Sequence, residues 1–413
     1  MTSAERHEAR YQRRKAKREA TRREKLNQYD DFDNVASPGA LIRANFESRK
    51  GVMWKASVSR YDAHSLKHSI LQSRSMYAGT YQTAGFYAFT IYERGKRRGI
   101  HSLHYADRVV RRSACINTLV PMLSSNLIYD NGASLKSKGV SFSADRCEAH
   151  LHRYFRETGS NEGYVLIIDF KGYFDHIMHD PLHSILDRYV LDPRLNQLCK
   201  GFIAATNNDK RPEDRGMGLY IGPEDSQIYA VAYPNSIDHL IKDQWRLRYY
   251  GRYMDDSYII LRDKAELKRV LQLLYAEYAR LGIIPNIKKT QIVKLSRGFT
   301  YLKTKYFLTP TGEVIKKPDH AAIVRERRKL KKMKAFLDNG ILTLAQVTQS
   351  YMSWRGAILK RDAHRSVGMM DALFFDLFGT KPWENTKKKK RRKNYGRQTY
   401  TNHGRDYRAQ IAA

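Results

Sequence analysis

The chain has 413 residues, of which 42% are hydrophobic and 11% aromatic, so it can bury a sizeable core and is not a disordered protein. Its 75 lysines and arginines against 42 acidic residues leave a formal net charge of +33, which predicts a polyanionic partner, nucleic acid before an anionic membrane. The alternative, that the excess charge only keeps the chain in solution, stays open on composition alone.

Cysteine count and apolar runs predict the cellular compartment. Cys115, Cys147 and Cys199 are odd in number and lack metal-type spacing, which favours a reducing compartment without disulfides. The N-terminal segment has no apolar signal core, and no run of about 18 apolar residues occurs in the chain. We therefore expect a cytoplasmic protein with no membrane partner.

The predicted elements begin with a basic helical extension over residues 1–30, which lacks an apolar stripe and is expected to lie on a surface or to await a partner. Residues 31–160 follow, with strands predicted around YAFTIYER and IHSLHY and a long helix from Asp107 to about Leu127. Residues 161–315 contain the apolar strand VLIIDF, amphipathic helices, the hairpin GRYMDDSYII, and a second hairpin that turns at Pro310 to Gly312.

The remaining residues are predicted to be helical and then disordered. Residues 316–380 contain the basic helix RERRKLKKMKAFLDNG, which ends in a glycine cap signal, and the helix LTLAQVTQSYMSWRGAIL. Residues 381–413 include seven consecutive cations, Lys387 to Lys393, and are expected to stay disordered until they meet nucleic acid.

Three carboxylates carry the strongest chemical signal. Asp255 and Asp256 are adjacent in GRYMDDSYII, but such a pair is also common in solvated turns. Asp169 follows the apolar run Val165 to Ile168, which predicts a strand buried on both faces, and a charge there is costly unless it is paired or bound to a metal. If this strand and the hairpin are neighbours in one sheet, the three carboxylates converge, and hard oxygen ligands of this kind suit Mg²⁺.

The tetrapeptide YMDD in its hairpin, with DFxxYFDxI about 80 residues upstream, resembles the reverse transcriptases, and the resemblance extends over about residues 92–377. It implies an α+β right-hand polymerase fold, with fingers at 31–160, a palm at 161–315 and a helical thumb at 316–380. The palm is an antiparallel sheet with helices on one face. The resemblance also implies two Mg²⁺ ions, with Mn²⁺ able to substitute, held by Asp169, Asp255, Asp256 and the carbonyl of Phe170.

The resemblance further implies a nucleotide-binding set. Phe174 matches the position that crowds a ribose 2′-hydroxyl, whereas RNA-synthesising relatives place an Asp there; in this chain an Asp comes one residue later, at Asp175. The alternative is that Phe174 is an ordinary core aromatic. The other members of the set are Lys96 and Arg98 for the triphosphate, Gly222 and Gln227 beside the nucleotide, and Lys289 near the pyrophosphate.

A nucleic-acid-binding set completes the implied site. Its expected members are Lys136, Lys138 and Met254 in the body of the chain, and Arg328, Lys331 and Arg355 in the thumb. The primer-grip turn departs from the family, because Tyr301-Leu302-Lys303 lacks the usual glycine.

The variant IGxxxSQ at residues 221–227 resembles bacterial and phage enzymes, especially those of diversity-generating retroelements and phage-defence systems. The expected function is Mg²⁺-dependent transfer of dNTPs to a 3′-hydroxyl on an RNA template. The expected partners are an RNA template, a DNA or RNA primer, a dedicated noncoding RNA and a small accessory protein. Two alternatives stay open: an RNA-binding scaffold with a polymerase fold, and a non-templated or RNA-synthesising polymerase.

Overall fold

The computed structural model describes residues 2–93, 96–208 and 210–384, which form two compact units. The first unit contains the described residues up to Leu302 together with Pro310–Gly312. The second contains Lys303–Thr309 and the described residues from Glu313 onward. The predicted basic tail lies outside the described residues from position 385 on, and the predicted limits of fingers, palm and thumb stay predictions.

The first unit begins with helices. The predicted N-terminal helix is confirmed as α1, Ser3–Leu26, and it starts with a capping box in which Thr2 and Glu5 bond each other's backbone N–H. Apolar residues of the next helices, such as Leu41 and Val58, are buried in the main core. These four helices are α2 Asp33–Ala36, α3 Pro38–Ser48, α4 Ala56–Ala63 and α5 Ser65–Tyr77.

An antiparallel hairpin follows, formed by β1 (Phe86–Glu93) and β2 (Lys96–Leu103), with Glu93 opposite Lys96. The strand predicted at IHSLHY needs correction at both ends, because β2 begins at Lys96 and Tyr105 already starts a helix. All of β1 is paired with β2, so β2 extends back through the basic residues that precede Ile100. These residues lack the apolar alternation by which a strand is predicted from sequence.

The long helix predicted from Asp107 is interrupted. Helices α6 (Tyr105–Ala114) and α7 (Val120–Ser124) flank a π-helical turn over Cys115–Leu119. Pro121 cannot donate the backbone hydrogen bond that an α-helix requires there, which favours the wider turn.

A four-stranded antiparallel sheet forms the centre of the first unit, in the order β4-β5-β3-β6. Its interior strand β3 pairs with β5, so the predicted neighbourhood of VLIID and the YMDD hairpin is confirmed. The strands are β3 Tyr164–Asp169, β4 Tyr250–Tyr253, β5 Asp256–Leu261 and β6 Gln291–Lys294, and a further strand, β7, spans Phe299–Tyr301.

Helices pack mainly on one face of this sheet. Leu166 and Ile168 of β3 are fully buried in the core with Leu182, Ile228 and Leu274 from three of these helices. Because side chains alternate along a strand, Asp169 lies on the opposite face from Leu166 and Ile168. The helices of this part are α8 Val140–Thr158, α9 His179–Tyr189, α10 Pro193–Ala204, α11 Glu224–Ala232, α12 Asn235–His239 and α13 Lys264–Arg280.

The second unit is mainly helical, as predicted. Its elements are the paired strands β8 Thr304–Leu308 and β9 Val314–Pro318, and the helices α14 His320–Asp338, α15 Leu344–Ile358 and α16 His364–Phe378. Leu330, Val347 and Phe374, one from each helix, meet in its core. The glycine stop predicted after α14 is confirmed, since Gly340 has a φ of 71°. None of the helices in the described ranges is long and apolar enough to cross a membrane.

Candidate active site

The three predicted carboxylates lie together at one end of the four-stranded sheet. Asp169 ends β3, Asp256 begins β5, and the two residues are directly opposite each other. Asp255 lies with Met254 in the two-residue turn between β4 and β5, where Met254 has a φ of 56°. The structure therefore places two carboxylates on paired strands and the third on the adjoining turn.

Asp169 is held by the segment that leads from α13 to β6. Asn286 donates a side-chain hydrogen bond to Oδ1 of Asp169 at 3.0 Å, and Lys289 donates one to Oδ2 at 2.6 Å. The backbone is tied as well, since the N–H of Asn286 bonds the carbonyl of Asp169 at 2.7 Å and the N–H of Lys171 bonds the carbonyl of Ile284 at 2.8 Å. Lys289 thus lies at the candidate site, and its expected place near the pyrophosphate stays a prediction.

The site concentrates negative charge in a partly buried position. Burial raises the pKa of Asp256 to about 7, and the charges of Asp255 and Asp169 add to the rise. Burial also raises the pKa of Asp255, while the cations Lys289 and Arg98 oppose that rise. Burial alone would lower the pKa of Lys289, but the hydrogen bond to Asp169 and the charges of Asp169, Asp256 and Asp255 together outweigh burial and raise that pKa. Carboxyl groups in these surroundings hold a proton or a cation unusually well.

The donor chemistry of this site fits a divalent cation. Asp169 and Asp256 face each other on paired strands, and two carboxyl groups placed side by side in this way favour a shared proton or a cation between them. Within the described residues, however, no group of three or more His, Cys, Asp or Glu side chains could hold a metal ion as it stands. Both carboxylate oxygens of Asp169 already accept a hydrogen bond, from Asn286 and Lys289.

A buried ion pair behind the catalytic hairpin was not predicted. Arg252 of β4 is 1% exposed and binds Asp238 of α12 with Nε at 2.8 Å from Oδ1 and Nη2 at 2.6 Å from Oδ2. Its Nη1 donates to the carbonyl of Met254 at 3.1 Å, and Tyr250 donates to Asp238 at 2.5 Å. The only sequence signal is that Arg252 and Tyr250 alternate along the strand on its buried side.

Of the two predicted triphosphate ligands, the structure describes the side chain of Arg98 but not that of Lys96. Arg98 lies on β2 with its Nε 3.1 Å from a carboxylate oxygen of Glu93, and its side chain is 46% exposed. The positive charge of Arg98 interacts with Asp255 and opposes the rise in the pKa of that carboxyl group. Lys96 begins β2, but its side chain lies outside the described part of the chain.

Phe174 and its neighbour Tyr173 differ in burial. Tyr173 is a core aromatic whose hydroxyl donates to the carbonyl of Ala230 at 2.6 Å. Phe174 is only partly buried and packs against the edge of the core, so part of its ring stays accessible. Asp175, the alternative ribose contact, is exposed.

The backbone at Gly222, which is expected to lie beside the nucleotide, closely approaches the backbone of strand β2. A Cβ at Gly222, whose φ is 143°, would lie 2.5 Å from the carbonyl oxygen of His101 in β2. Helix α11 begins at Glu224 after Pro223, and Ser226 is buried in its first turn. Gln227 is partly exposed, 3.5 Å from the hydroxyl of Ser134.

Two of the expected nucleic-acid contacts in the first unit are used internally. The ammonium of Lys138 donates to the carbonyls of Tyr129 at 2.7 Å and Asn131 at 3.0 Å, so it is engaged in holding this loop. Met254 is 9% exposed and packs in the main core, so its side chain is not presented to a primer end. Lys136 is exposed, as its predicted role requires.

In the second unit, Arg328 and Lys331 are exposed on α14 and free to face a ligand as far as the described residues go. Arg355 is engaged within the unit, because it forms a bidentate ion pair with Asp371 of α16, with N–O distances of 2.9 and 3.0 Å. Sequence spacing could not reveal this partner, since the contact depends on how α15 and α16 pack.

Comparison with protein families agrees with this geometry. Residues 93–306, just over half of the chain, match the family model described as reverse transcriptase (RNA-dependent DNA polymerase). No curated protein sequence matches the chain. The chain is similar to the solved telomerase from Candida albicans in complex with a TWJ fragment of telomeric RNA, with 12% identity, a TM-score of 0.45, and coverage of 71% of this chain and 61% of that one.

A second similar structure is the apo telomerase from Candida tropicalis, with 16% identity, a TM-score of 0.45, and coverage of 72% of this chain and 58% of that one. This chain therefore spans about 60% of the length of the two telomerase chains.

The family match spans all four strands of the central sheet and the three carboxylates. Members of this family are nucleotidyltransferases that generally use divalent metal ions. The fold class predicted from sequence, α+β of the right-hand polymerase type, is thereby confirmed. The chain belongs to the reverse transcriptase (RNA-dependent DNA polymerase) family.

Proposed function

We propose that the chain transfers the nucleotidyl group of a dNTP to the 3′-hydroxyl of a primer paired with an RNA template. The observation that carries this proposal is the placement of Asp169 opposite Asp256, with Asp255 on the adjoining turn. In the reaction the 3′-oxygen forms a bond to the α-phosphorus, the bond to pyrophosphate breaks, and the hydroxyl proton is lost.

Asp169, Asp255 and Asp256 would hold the divalent cations, with the carbonyl of Phe170 as a further ligand. Hard oxygen ligands favour Mg²⁺, and Mn²⁺ is expected to substitute. When bound, such ions supply positive charge to the attacking and leaving oxygens. Each carboxylate oxygen of Asp169 accepts one hydrogen bond and keeps a second lone pair that could ligate a cation.

Lys289 and Arg98 are the cations proposed to meet the nucleotide's phosphates. Lys289 lies beside Asp169, so its ammonium group would be placed to donate a hydrogen bond or a proton to the leaving pyrophosphate. Arg98 lies on β2, and its positive charge interacts with Asp255. A guanidinium group can bond two phosphate oxygens at once. Lys96 is proposed as its companion on sequence grounds.

Phe174 is proposed as the residue that selects the sugar. Its partly exposed ring follows the strand that carries Asp169, and a ring in that position would collide with a ribose 2′-hydroxyl. Gly222 and Gln227 are proposed to border the nucleotide, and Lys136, Arg328 and Lys331 to contact nucleic-acid phosphates. For Lys138, Met254 and Arg355, the internal contacts described above speak against that role.

The biological setting is proposed from sequence. The IGxxxSQ variant supports an origin in a prokaryotic retroelement or an anti-phage system, acting in the cytoplasm with a dedicated noncoding RNA and a small accessory protein. Copurified RNA and the DNA made from it, sequenced together, would identify the template and separate these two settings.

The activity is tested by offering the purified protein four primer–template combinations, RNA or DNA template with dNTPs or rNTPs, in Mg²⁺, Mn²⁺ or EDTA. The expected result is extension with dNTPs on RNA template in either metal and none in EDTA. Extension with rNTPs alone would instead identify an RNA-synthesising polymerase. Extension by no combination, while RNA is still bound, would identify an RNA-binding scaffold.

A further inference from the structure

Helix α1 is fixed to the body by one of its sides. The guanidinium of Arg23 donates to the carbonyl of Tyr189 at 2.8 Å and forms an ion pair with Asp30, while Arg188 approaches Glu19 at 3.4 Å. These contacts hold the C-terminal half of α1 beside the end of α9. The orientation of the remaining faces of α1 within the first unit follows from this docking.

The charges on α1 are segregated by side. At 100° per residue, one continuous face of the helix contains six lysines and arginines and no acidic residue. The acidic residues Glu5, Glu8, Glu19 and Glu24 all fall outside that face. The cations of this basic face, as we name it, are Arg10, Arg14, Lys17, Arg18, Arg22 and Lys25.

The basic face is unpartnered within the described residues. None of its six cations forms an ion pair with a described carboxylate, and five of them are exposed, with Arg22 partly buried. A helix that only improves solubility usually intersperses acids and bases at i, i+4 spacing, which lowers its own repulsion. Here that repulsion is left uncompensated over about four turns of helix, or about 22 Å.

An open groove runs along the same face. Its volume is about 1070 Å³, and Arg14, Lys17, Arg18, Arg22 and Lys25 line one side of it. Thr21 and Leu26 of α1, together with Gln28, Tyr29 and Ser125 beyond it, line the rest. The groove therefore combines a row of cations with hydrogen-bonding groups and has an open mouth that a long ligand could enter.

We propose that the basic face of α1 and this groove bind the phosphate backbone of a double-stranded nucleic acid, outside the catalytic site. Cations that recur once per helical turn match a linear polyanion, and guanidinium groups suit phosphate oxygens. A membrane surface is disfavoured, because a helix lying in a lipid interface needs an apolar face and α1 has none. If the proposed function holds, we expect the bound molecule to be a double-stranded region of a structured RNA.

The test compares two doubly substituted full-length proteins with the same loss of charge. In one, Arg14→Gln and Arg18→Gln remove two cations of the basic face; in the control, Arg6→Gln and Arg13→Gln remove two cations of α1 that lie off it. Binding of a blunt 20-base-pair RNA duplex and the matching DNA duplex is measured by fluorescence anisotropy across salt concentrations, without nucleotides or metal.

The basic-face variant should bind RNA several-fold more weakly than the control, and the slope of log K against log salt should fall by about 2, one for each arginine removed from the phosphate backbone. A DNA duplex bound equally well would identify a general duplex backbone as the ligand, whereas a preference for RNA would identify A-form geometry; either upholds the site. Equal duplex affinities of the two variants, whether reduced or unchanged, would overturn the proposal. Tighter binding to phosphatidylserine vesicles than to either duplex would also overturn it.

Circular dichroism at 222 nm checks that both variants keep the helix, since glutamine is a good helix former. Extension of a short primer–template that cannot reach α1 should be the same in both. A binding loss with intact extension supports the surface independently of catalysis. If the wild type did not extend the primer, that result would count against the proposed function, but the duplex-binding result would remain valid.

Discussion

Arg252 and Asp238 form an ion pair in which both side chains are 1% exposed, directly beneath the turn that carries Asp255. Arg252 also donates to the carbonyls of Met254 and Val231, so one guanidinium links β4, the catalytic turn and α11. Met254 keeps a φ of 56°, which is unfavourable for a non-glycine residue, and the hydrogen bond to its carbonyl stabilises that conformation.

Removing either partner of this pair should be strongly destabilising. Asp238→Asn leaves the charge of Arg252 buried and uncompensated, a change that typically costs about 3–5 kcal/mol of unfolding free energy. Urea unfolding followed by tryptophan fluorescence measures the loss. The matched control is Asp214→Asn, which breaks the exposed pair with Arg211 and should cost about 1 kcal/mol or less. Similar losses in the two variants would contradict the role given to the buried pair.

Gly222 should not tolerate a methyl group. Gly222→Ala places a Cβ against the backbone oxygen of His101, which cannot move aside without shifting β2, and the φ of 143° is itself strained for alanine. We expect a lower melting temperature and weaker dNTP binding. Gly201→Ala is the control, because nothing lies within 4 Å of its Cβ in the helix α10, and it should stabilise by about 0.5–1 kcal/mol. If both variants melted alike, the close approach would be unimportant.

Phe174 should control the choice between dNTPs and rNTPs. Phe174→Val shortens the side chain that is proposed to collide with the 2′-hydroxyl, so incorporation of rNTPs should rise while that of dNTPs changes less. The ratio of kcat/KM for dCTP and CTP measures the effect. Asp175→Asn serves as the control, and it should leave the ratio unchanged. A ratio that moved in Asp175→Asn but stayed fixed in Phe174→Val would transfer the role to Asp175.

Divalent cations should stabilise the protein more at high pH than at low pH. The folded protein holds the pKa of Asp256 near 7, against an ordinary value of 3.8. Between these values the folded state binds more protons than the unfolded state, so this group lowers stability as pH rises through that window. Cation binding relieves the cost where the carboxyls are ionised.

Thermal melting with and without Mg²⁺ at pH 5 and pH 8 tests this linkage. The increase in melting temperature on adding Mg²⁺ should be small at pH 5 and larger at pH 8, and Asp256→Asn should reduce the difference. An equal increase at both pH values would argue that the cation binds elsewhere.

Sequence reasoning located the catalytic strands because their signals are local. The apolar run before Asp169 and the alternating residues around Asp255 both specify buried strands, and their pairing brings the carboxylates together. The same local reasoning succeeded for α14, whose glycine stop follows directly in the sequence.

Contacts between residues far apart in sequence could not be predicted in this way. Lys138 and Arg355 look like free cations, but backbone carbonyls and Asp371 reach them only after the chain has folded. The partner of Arg252 is likewise established only when Asp238 of α12 packs beneath β4. Asn286 had no distinguishing pattern, and its role emerges only from the hydrogen bond to Asp169.

The central claim is that Asp169, Asp255 and Asp256 form a nucleotidyl-transfer site. The most direct test is the rate of dTTP incorporation on poly(rA)/oligo(dT) with Mg²⁺, for the wild type, for Asp255→Asn plus Asp256→Asn, and for the exposed control Asp145→Asn. We expect incorporation by the wild type and the control, and a loss of at least about a thousandfold in the double variant, as occurs when electrostatic groups of an active site are removed. Incorporation that survives in the folded double variant would contradict the central claim.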